Sequence, residues 1–372
     1  YRILDVDGHE LMDFHLNGGT FNLGHRHPVL VEVLRSALDE LDIGNHHFPS
    51  VERAALADQL CALAPGDMPY VVFASGGSEA VDIAIKSARR ATGRRVIVTI
   101  DSGYHGGTGF SGAAGNDDNA RYFGTDRPDE FVKVPFNDLG ALKRALDANE
   151  VAAVIIETIP ATCGFPIPDQ DYLPGAARLA REHGALYIAD EVQTGLGRTG
   201  RLWGVQNWGV EPDLMVIVKG LSGGLYPIAA VLLNSRSGQW LHENGWGHVS
   251  TFGGAELGCR VAAKVLEICA KPEVLSHASS TANYLRGQLA SLAARYPYLT
   301  EIRSSGLVMG LKFGTSDGAL RMMAALYAHG IWAIYAGFDG SVLQFKPGLL
   351  IDQAYCDTAL ERFEGALRTV SR

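Results

Sequence analysis

The feature that most constrains this chain is a set of six short, almost unbroken apolar runs, most of which stop at a residue with chemistry to offer. Val71-Val72-Phe73-Ala74 runs into Ser75-Gly76-Gly77-Ser78, and Val96 to Ile100 is followed by Gly103-Tyr104-His105-Gly106-Gly107. Val151 to Ile156 precedes Glu157, Ala185 to Ala189 stops at Asp190, and Leu214 to Val218 stops at Lys219; Ile228 to Leu233 is the sixth. Runs this short and this apolar predict strands buried on both faces, as in a mostly parallel sheet covered by helices. The stretches between them carry helical spacing: Ala80, Ile83, Ala84, Ala88 and Ala91 predict a helix over 79–92, and a second is expected over 173–183. Gly258 to Cys269 predicts a long helix bridging to a C-terminal region with helix and strand signals of its own. In α/β sheets of this kind ligands sit beyond the carboxyl ends of the strands. Here that places a glycine turn, a tyrosine, an aspartate and a lysine together.

Composition narrows the function classes. With 32 Lys and Arg against 41 Asp and Glu the net charge is −9, which argues against nucleic acid or an anionic membrane as partner. No apolar run approaches the ~18 residues of a membrane span. Five scattered cysteines form no C-x-x-C pair, so neither a zinc ribbon nor a disulfide framework is expected, and a reducing, cytoplasmic location is the default. No G-x-G-x-x-G follows the first strand, which removes a nicotinamide dinucleotide fold. Glycine is in excess, at 44 of 372 residues, without any repeat to account for it. The chain begins at Tyr1 rather than Met, and an N-terminal arm ahead of it is expected.

Each chemical residue also has a plain structural reading. A lysine closing a buried strand can snorkel to solvent, but a desolvated Lys219 amine is also suited to form a Schiff base. Asp190 can cap a turn, or it can hold a protonated ring nitrogen as its counter-charge. The Ser75–Ser78 turn can be an ordinary capped junction, or a phosphate cradle at a helix N-terminus. Tyr104 can be a core or surface ring, or a stacking platform. Taken together, these four supply what pyridoxal phosphate requires.

In these motifs the chain resembles the class III aminotransferases, fold type I pyridoxal-phosphate enzymes, over nearly its whole length. Leu23-Gly24-His25-Arg26-His27-Pro28 is similar to that family's LGHxHP, Phe73 to Ala80 to its SGSEA stretch, and Tyr104-His105-Gly106 to its aromatic-His-Gly. Asp190 to Gly195 with Gly197-Arg198-Thr199-Gly200, Lys219 to Gly224, and Thr251-Phe252-Gly253-Gly254 resemble DEVQTG…GRTG, KGLSGG and TFGG. The resemblance implies a large pyridoxal-phosphate domain with a mostly parallel central sheet over 46–265. It also implies a smaller α+β domain over 266–372, joined by the N-terminal segment 1–45. It implies that Lys219 carries the internal aldimine and then moves protons, and that Asp190 pairs with the pyridine nitrogen. Gly77 and Ser78 would bind phosphate, Tyr104 and Val192 would flank the ring, and Gln193 would approach the 3′-oxygen. Thr251 would reach the phosphate of a neighbouring subunit, making a homodimer with shared sites. Glu157 would lie on the substrate side.

Two positions depart from the family pattern. Where it resembles EPxQGEGG, this chain has Glu157-Thr158-Ile159-Pro160-Ala161-Thr162-Cys163-Gly164, so Thr162 replaces an acid. Where it resembles RFxPPL, this chain has Gln344-Phe345-Lys346-Pro347-Gly348-Leu349, so Gln344 replaces the arginine that clamps a substrate carboxylate. Losing both members of an ion pair together avoids a stranded charge. Ornithine, acetylornithine and 4-aminobutyrate are therefore not the expected substrates. Lys346, two residues on along a strand, shares a face with Gln344 and is expected to supply the anion contact. The expected activity is amino transfer on an amine or amino-acid-derived substrate. The alternative is a decarboxylase, deaminase, eliminase or epimerase on the same fold. Asn17 to Phe21 and Asn45 to Phe48 are expected to shape the pocket, with no metal.

Overall fold

The structure is a computed structural model and describes residues 1–44 and 48–371. The N-terminal strands β1 (Arg2–Leu4) and β2 (Glu10–Asp13) pair antiparallel. The large sheet follows, with β3 (Tyr70–Ala74), β4 (Val96–Ile100), β5 (Phe131–Val134), β6 (Val151–Glu157), β7 (Leu186–Asp190), β8 (Leu214–Ile217) and β9 (Ala229–Leu233). Its order is β3-β9-β8-β7-β6-β4-β5. Pairs β5·β4, β4·β6, β6·β7 and β7·β8 are parallel, while β9 runs antiparallel to both β8 and β3. Every residue of β6, β7, β8 and β9 is buried, as expected for a sheet sandwiched between helices.

The six expected strands are present within a residue or two of their expected ends. The edge strand β5 was not legible, because Phe-Val-Lys-Val is short and carries a lysine. The expected helices are observed at Gly77–Thr92, Tyr172–Glu182 and Glu256–Cys269. Helix Gly77–Thr92 is stopped by Gly93, whose left-handed φ of 69° ends the helix at low cost.

C-terminal to Cys269, a long helix Pro272–Arg295 begins on a proline, whose missing N–H costs nothing at a helix start. The strands β10 (Leu299–Ser305), β11 (Val308–Phe313), β13 (Ile334–Ala336) and β14 (Asp339–Phe345) form an antiparallel sheet in the order β10-β11-β14-β13. The two-residue β12 (Ile331–Trp332) instead pairs parallel with β2, so the two ends of the chain meet in one small sheet. Among the described residues no helix is long and apolar enough to cross a membrane.

Candidate active site

The carboxyl ends of the parallel strands open into a cavity of ≈ 330 Å³ whose lining includes Gly77, Ser78, Tyr104, Glu157, Asp190, Val192, Gln193 and Lys219. Register explains the convergence. Glu157 and Asp190 are cross-strand partners at the last position of β6 and β7, and Asp190 faces Val216 on β8, three residues before Lys219.

Asp190 is 3% exposed and is held from two sides. Its Oδ2 lies 2.8 Å from His105 Nδ1, and its Oδ1 accepts from the Val192 backbone N–H at 3.0 Å. His105 is buried in turn, with Nε2 3.1 Å from Thr99 Oγ1. Glu157 accepts from the backbone N–H groups of Tyr104 (2.9 Å) and Ala161 (3.2 Å). Burial, and then the Asp190 charge, push its carboxyl up to about 7, against the pull of His105. Burial likewise lowers the Lys219 amine, opposed by the negative charges of Asp190 and Glu157.

Lys219 also sits at φ 41°, an uncommon value for a residue with a Cβ. Facing it is a turn in which Leu16, Asn17, Gly18 and Gly19 all have positive φ. A Cβ on Gly18 would lie 2.6 Å from Lys219 Cε, so the bare glycine lets the backbone close over the lysine stem. This turn is pinned by Asp13, whose Oδ1 accepts from the N–H groups of His15 and Leu16 and whose Oδ2 lies 2.7 Å from His25 Nε2. Asn17 and Thr20 line the cavity, while Asn45, His46 and His47 lie outside the described residues. Strained backbone concentrated around one amine is characteristic of functional sites.

The start of helix Gly77–Thr92 suits a phosphate. Its N-cap, Gly76, supplies no side-chain cap, so the first N–H groups are not spent internally. Among the described residues, a Cβ on Gly76 would meet nothing within 4 Å, and one on Gly77 would meet only Val218 methyls at 3.8 Å. Packing therefore does not require glycine here, and a side chain would instead fill the cradle. Ser78 Oγ accepts from Gly107 N–H at 3.1 Å, and Tyr104 is 44% exposed at the cavity edge. The donor set thus fits a phosphorylated, planar pyridine.

The C-terminal side reads differently. Gln344 and Lys346 are buried, at 4% and 2% exposure, and neither is on the cavity surface itself. Lys346 Nζ donates to Gln344 Oε1 at 2.6 Å and to Gln193 Oε1 at 3.1 Å, and lies 5.5 Å from the centre of the Phe165 ring. The same segment is tied to the Gly197–Gly200 loop by Arg198, which donates to the carbonyls of Pro347 and Leu307. Burial, then the Lys219 and Arg198 charges, lower the Lys346 amine well below its usual range. Thr251 is exposed and is not part of this chain's cavity wall. Sequence reasoning passed over His15. Its buried Nδ1 has no hydrogen-bond partner among the described residues, and burial with the nearby Lys346 and Lys219 lowers its imidazole to about 3. The only sequence signal was its place two residues after Asp13.

Residues 1–367 match the class III aminotransferase family model. An uncharacterized aminotransferase of Archaeoglobus fulgidus is 47% identical over 99% of this chain and 86% of its own length. Acetylornithine aminotransferase of Pseudomonas putida is 33% identical over 100% of this chain and 91% of its own. Among solved structures, ornithine aminotransferase of Toxoplasma gondii superposes with a TM-score of 0.92 at 27% identity, covering 99% of this chain and 89% of that one. The fold and site define a fold type I pyridoxal-phosphate enzyme. The chain belongs to the class III aminotransferases.

Proposed function

We propose that this enzyme moves an amino group between an amine or amino-acid-derived substrate and a carbonyl acceptor, with Lys219 as the amine that bonds the cofactor's aldehyde carbon. One observation carries the reading: Lys219 and Asp190 meet at one cavity with an uncapped helix start. Bound there, pyridoxal phosphate supplies the electron sink that loosens bonds to the substrate's amine-bearing carbon. Asp190, fixed by His105 and Val192, holds the positive ring nitrogen. Gly77 and Ser78 take the phosphate, Tyr104 and Val192 bracket the ring, and Gln193 serves the 3′-oxygen. Burial lowers the basicity of Lys219, which suits it to exchange a proton with the substrate carbon. Thr251, exposed on the single chain, would complete the phosphate site of a partner in a homodimer. We divide the chain accordingly into a segment 1–45 joining a small domain 266–372, and a cofactor domain 46–265.

On the substrate side, Lys346 with Gln344 takes the place of the carboxylate clamp, and Glu157 lies across the cavity. Lys346 is a buried amine with no ion pair among the described residues; burial disfavours its charge, and a substrate carboxylate brought close to it would favour the charged form. Thr162 and Gln344 argue against ornithine and acetylornithine even though relatives bear those names. The same two replacements favour a second reading, in which a differently posed substrate undergoes decarboxylation, deamination, elimination or epimerisation.

A panel of amino donors tests this. Stoichiometric conversion of bound cofactor to its amine form supports amino transfer. Release of carbon dioxide or ammonia, or inversion at the substrate carbon, without that form supports the second reading.

A further inference from the structure

Lys346 is a donor-only side chain when charged, and its two contacts, Gln193 Oε1 and Gln344 Oε1, are both amide oxygens. A glutamine amide is ambidentate and can turn either end toward a neighbour. Charged or neutral, Nζ carries at least two N–H groups, and here they are directed at the two amide oxygens, so the carbonyl end of Gln193 is the one turned toward it. Gln193 lines the cavity, and with its oxygen engaged behind the wall, its NH₂ is left as the end that serves a ligand. Gln344 reinforces the arrangement from the other side, since its shorter contact anchors Nζ in place. The backbone holds Lys346 still as well. Its N–H donates to Phe14 O at 2.7 Å, and Arg198 grips the carbonyl of the next residue, Pro347.

We infer that Lys346 is a positioning residue for the cofactor: by engaging the Gln193 carbonyl, it fixes the Gln193 amide so that N–H, and not C=O, is presented to the oxygen on the pyridoxal ring. This rests on the reading of the site given above and adds a residue to it. A ring oxygen that accepts a hydrogen bond is stabilised as its anion, whereas a carbonyl turned toward it would repel that anion. The groups around Nζ are Gln193, Gln344 and the Phe165 ring in contact, with Lys219, Arg198 and Asp13 as the charges acting on it and Lys346 itself acting on the His15 imidazole.

The experiment is a double-mutant cycle on the holoenzyme, read by the visible absorbance band of bound pyridoxal phosphate, the pH midpoint of that band, and the cofactor dissociation constant. Lys346→Met keeps the volume and removes the donor. Gln193→Glu keeps the contact to Lys346 and removes the N–H. Both single variants are expected to move the midpoint in the same direction and to weaken cofactor binding about tenfold, the size of one lost hydrogen bond. The double variant is expected to move it no further than Gln193→Glu alone, because Lys346 acts through Gln193. A folded Lys346→Met protein with the wild-type band and midpoint would overturn the inference, as would shifts that add in the double variant. If Lys346→Met does not fold, Lys346→Arg decides: its guanidinium can only donate, so it can still hold the Gln193 carbonyl. A wild-type midpoint in Lys346→Arg beside a shifted one in Gln193→Glu supports orientation. A Lys346→Arg midpoint displaced as far as that of Gln193→Glu overturns it. Failure of the wild-type chain to take up pyridoxal phosphate would instead remove the reading of the site, so the two failures are distinguishable.

Discussion

The cavity has two unlike walls. The sheet wall carries Gly77, Ser78, Asp190 and Lys219, each within two residues of a strand or helix end and each fixed by backbone geometry or a short hydrogen bond. The opposite wall is the N-terminal turn that carries Asn17, backed by His15 and, behind the lining, by Gln344 at the end of β14 and Lys346 just past it, more than three hundred residues away in sequence. The first wall is polar and compensated: Asp190 has His105, and Lys219 has Asp190 and Glu157 as counter-charges. The second leaves a buried lysine on neutral partners and a buried imidazole nitrogen without one among the described residues. Chemistry common to the family is concentrated where charges are balanced. Gln344, which departs from the family pattern, lies where a buried amine has only neutral hydrogen-bond partners.

This contrast can be broken experimentally. The largest effect is expected from Lys219→Ala, which should abolish the wild-type visible band and lower turnover on the order of 10³-fold or more; a variant that keeps both would remove Lys219 from its role. Asp190→Asn should lower kcat about 10²-fold, corresponding to about 3 kcal/mol for a lost charged contact, while leaving the protein folded by circular dichroism.

On the other wall, His15 gives a pH signature. Its folded pKa, about 3, lies below the ordinary imidazole value of 6.5. The unfolded chain therefore binds a proton that the folded chain refuses, and stability falls as pH drops below 6.5 toward 3. His15→Gln should retain roughly 1–2 kcal/mol more of its neutral-pH stability at pH 5 than wild type does, measured by denaturant titration at both pH values. Glu157 has the opposite sign. Its folded pKa, about 7, exceeds the ordinary 4.5, so its contribution is full below 4.5 and is lost as pH rises to about 7. Glu157→Gln should flatten that part of the stability profile; an unchanged slope would mean that Glu157 ionises as an ordinary carboxyl. The smallest effect is expected from Gly18→Ala. The added methyl meets Lys219 Cε at 2.6 Å on a left-handed backbone, and should cost about 1 kcal/mol and measurably weaken cofactor retention.

Much of the sheet wall was legible because its information is local. A buried parallel strand announces itself as a short apolar run, and the residue after it is placed by strand geometry alone. The sequence alone thus assigns Asp190 and Lys219 to one end of one sheet. Edge strand β5 was missed for the converse reason: its middle two residues are only partly buried, one of them Lys133, so its apolar run is broken. The glycine excess was legible only as an excess. The structure separates Gly18, which a Cβ would drive into Lys219, from Gly76, where a Cβ would meet nothing within 4 Å among the described residues.

The sequence by itself determined the α/β class, the strand-end chemistry and, through its motifs, the family. Each of these is written in stretches of a few residues, whose periodicity and covalent spacing already constrain where side chains go. Only the tertiary structure decided that Lys346 is buried against Gln193, that His15 is held neutral by burial and then by two nearby lysines, and that Arg198 ties the Gly197–Gly200 loop to Pro347. Those contacts join segments about 150 residues apart or more. They depend on how two sheets and both chain ends pack together, and no local pattern encodes that.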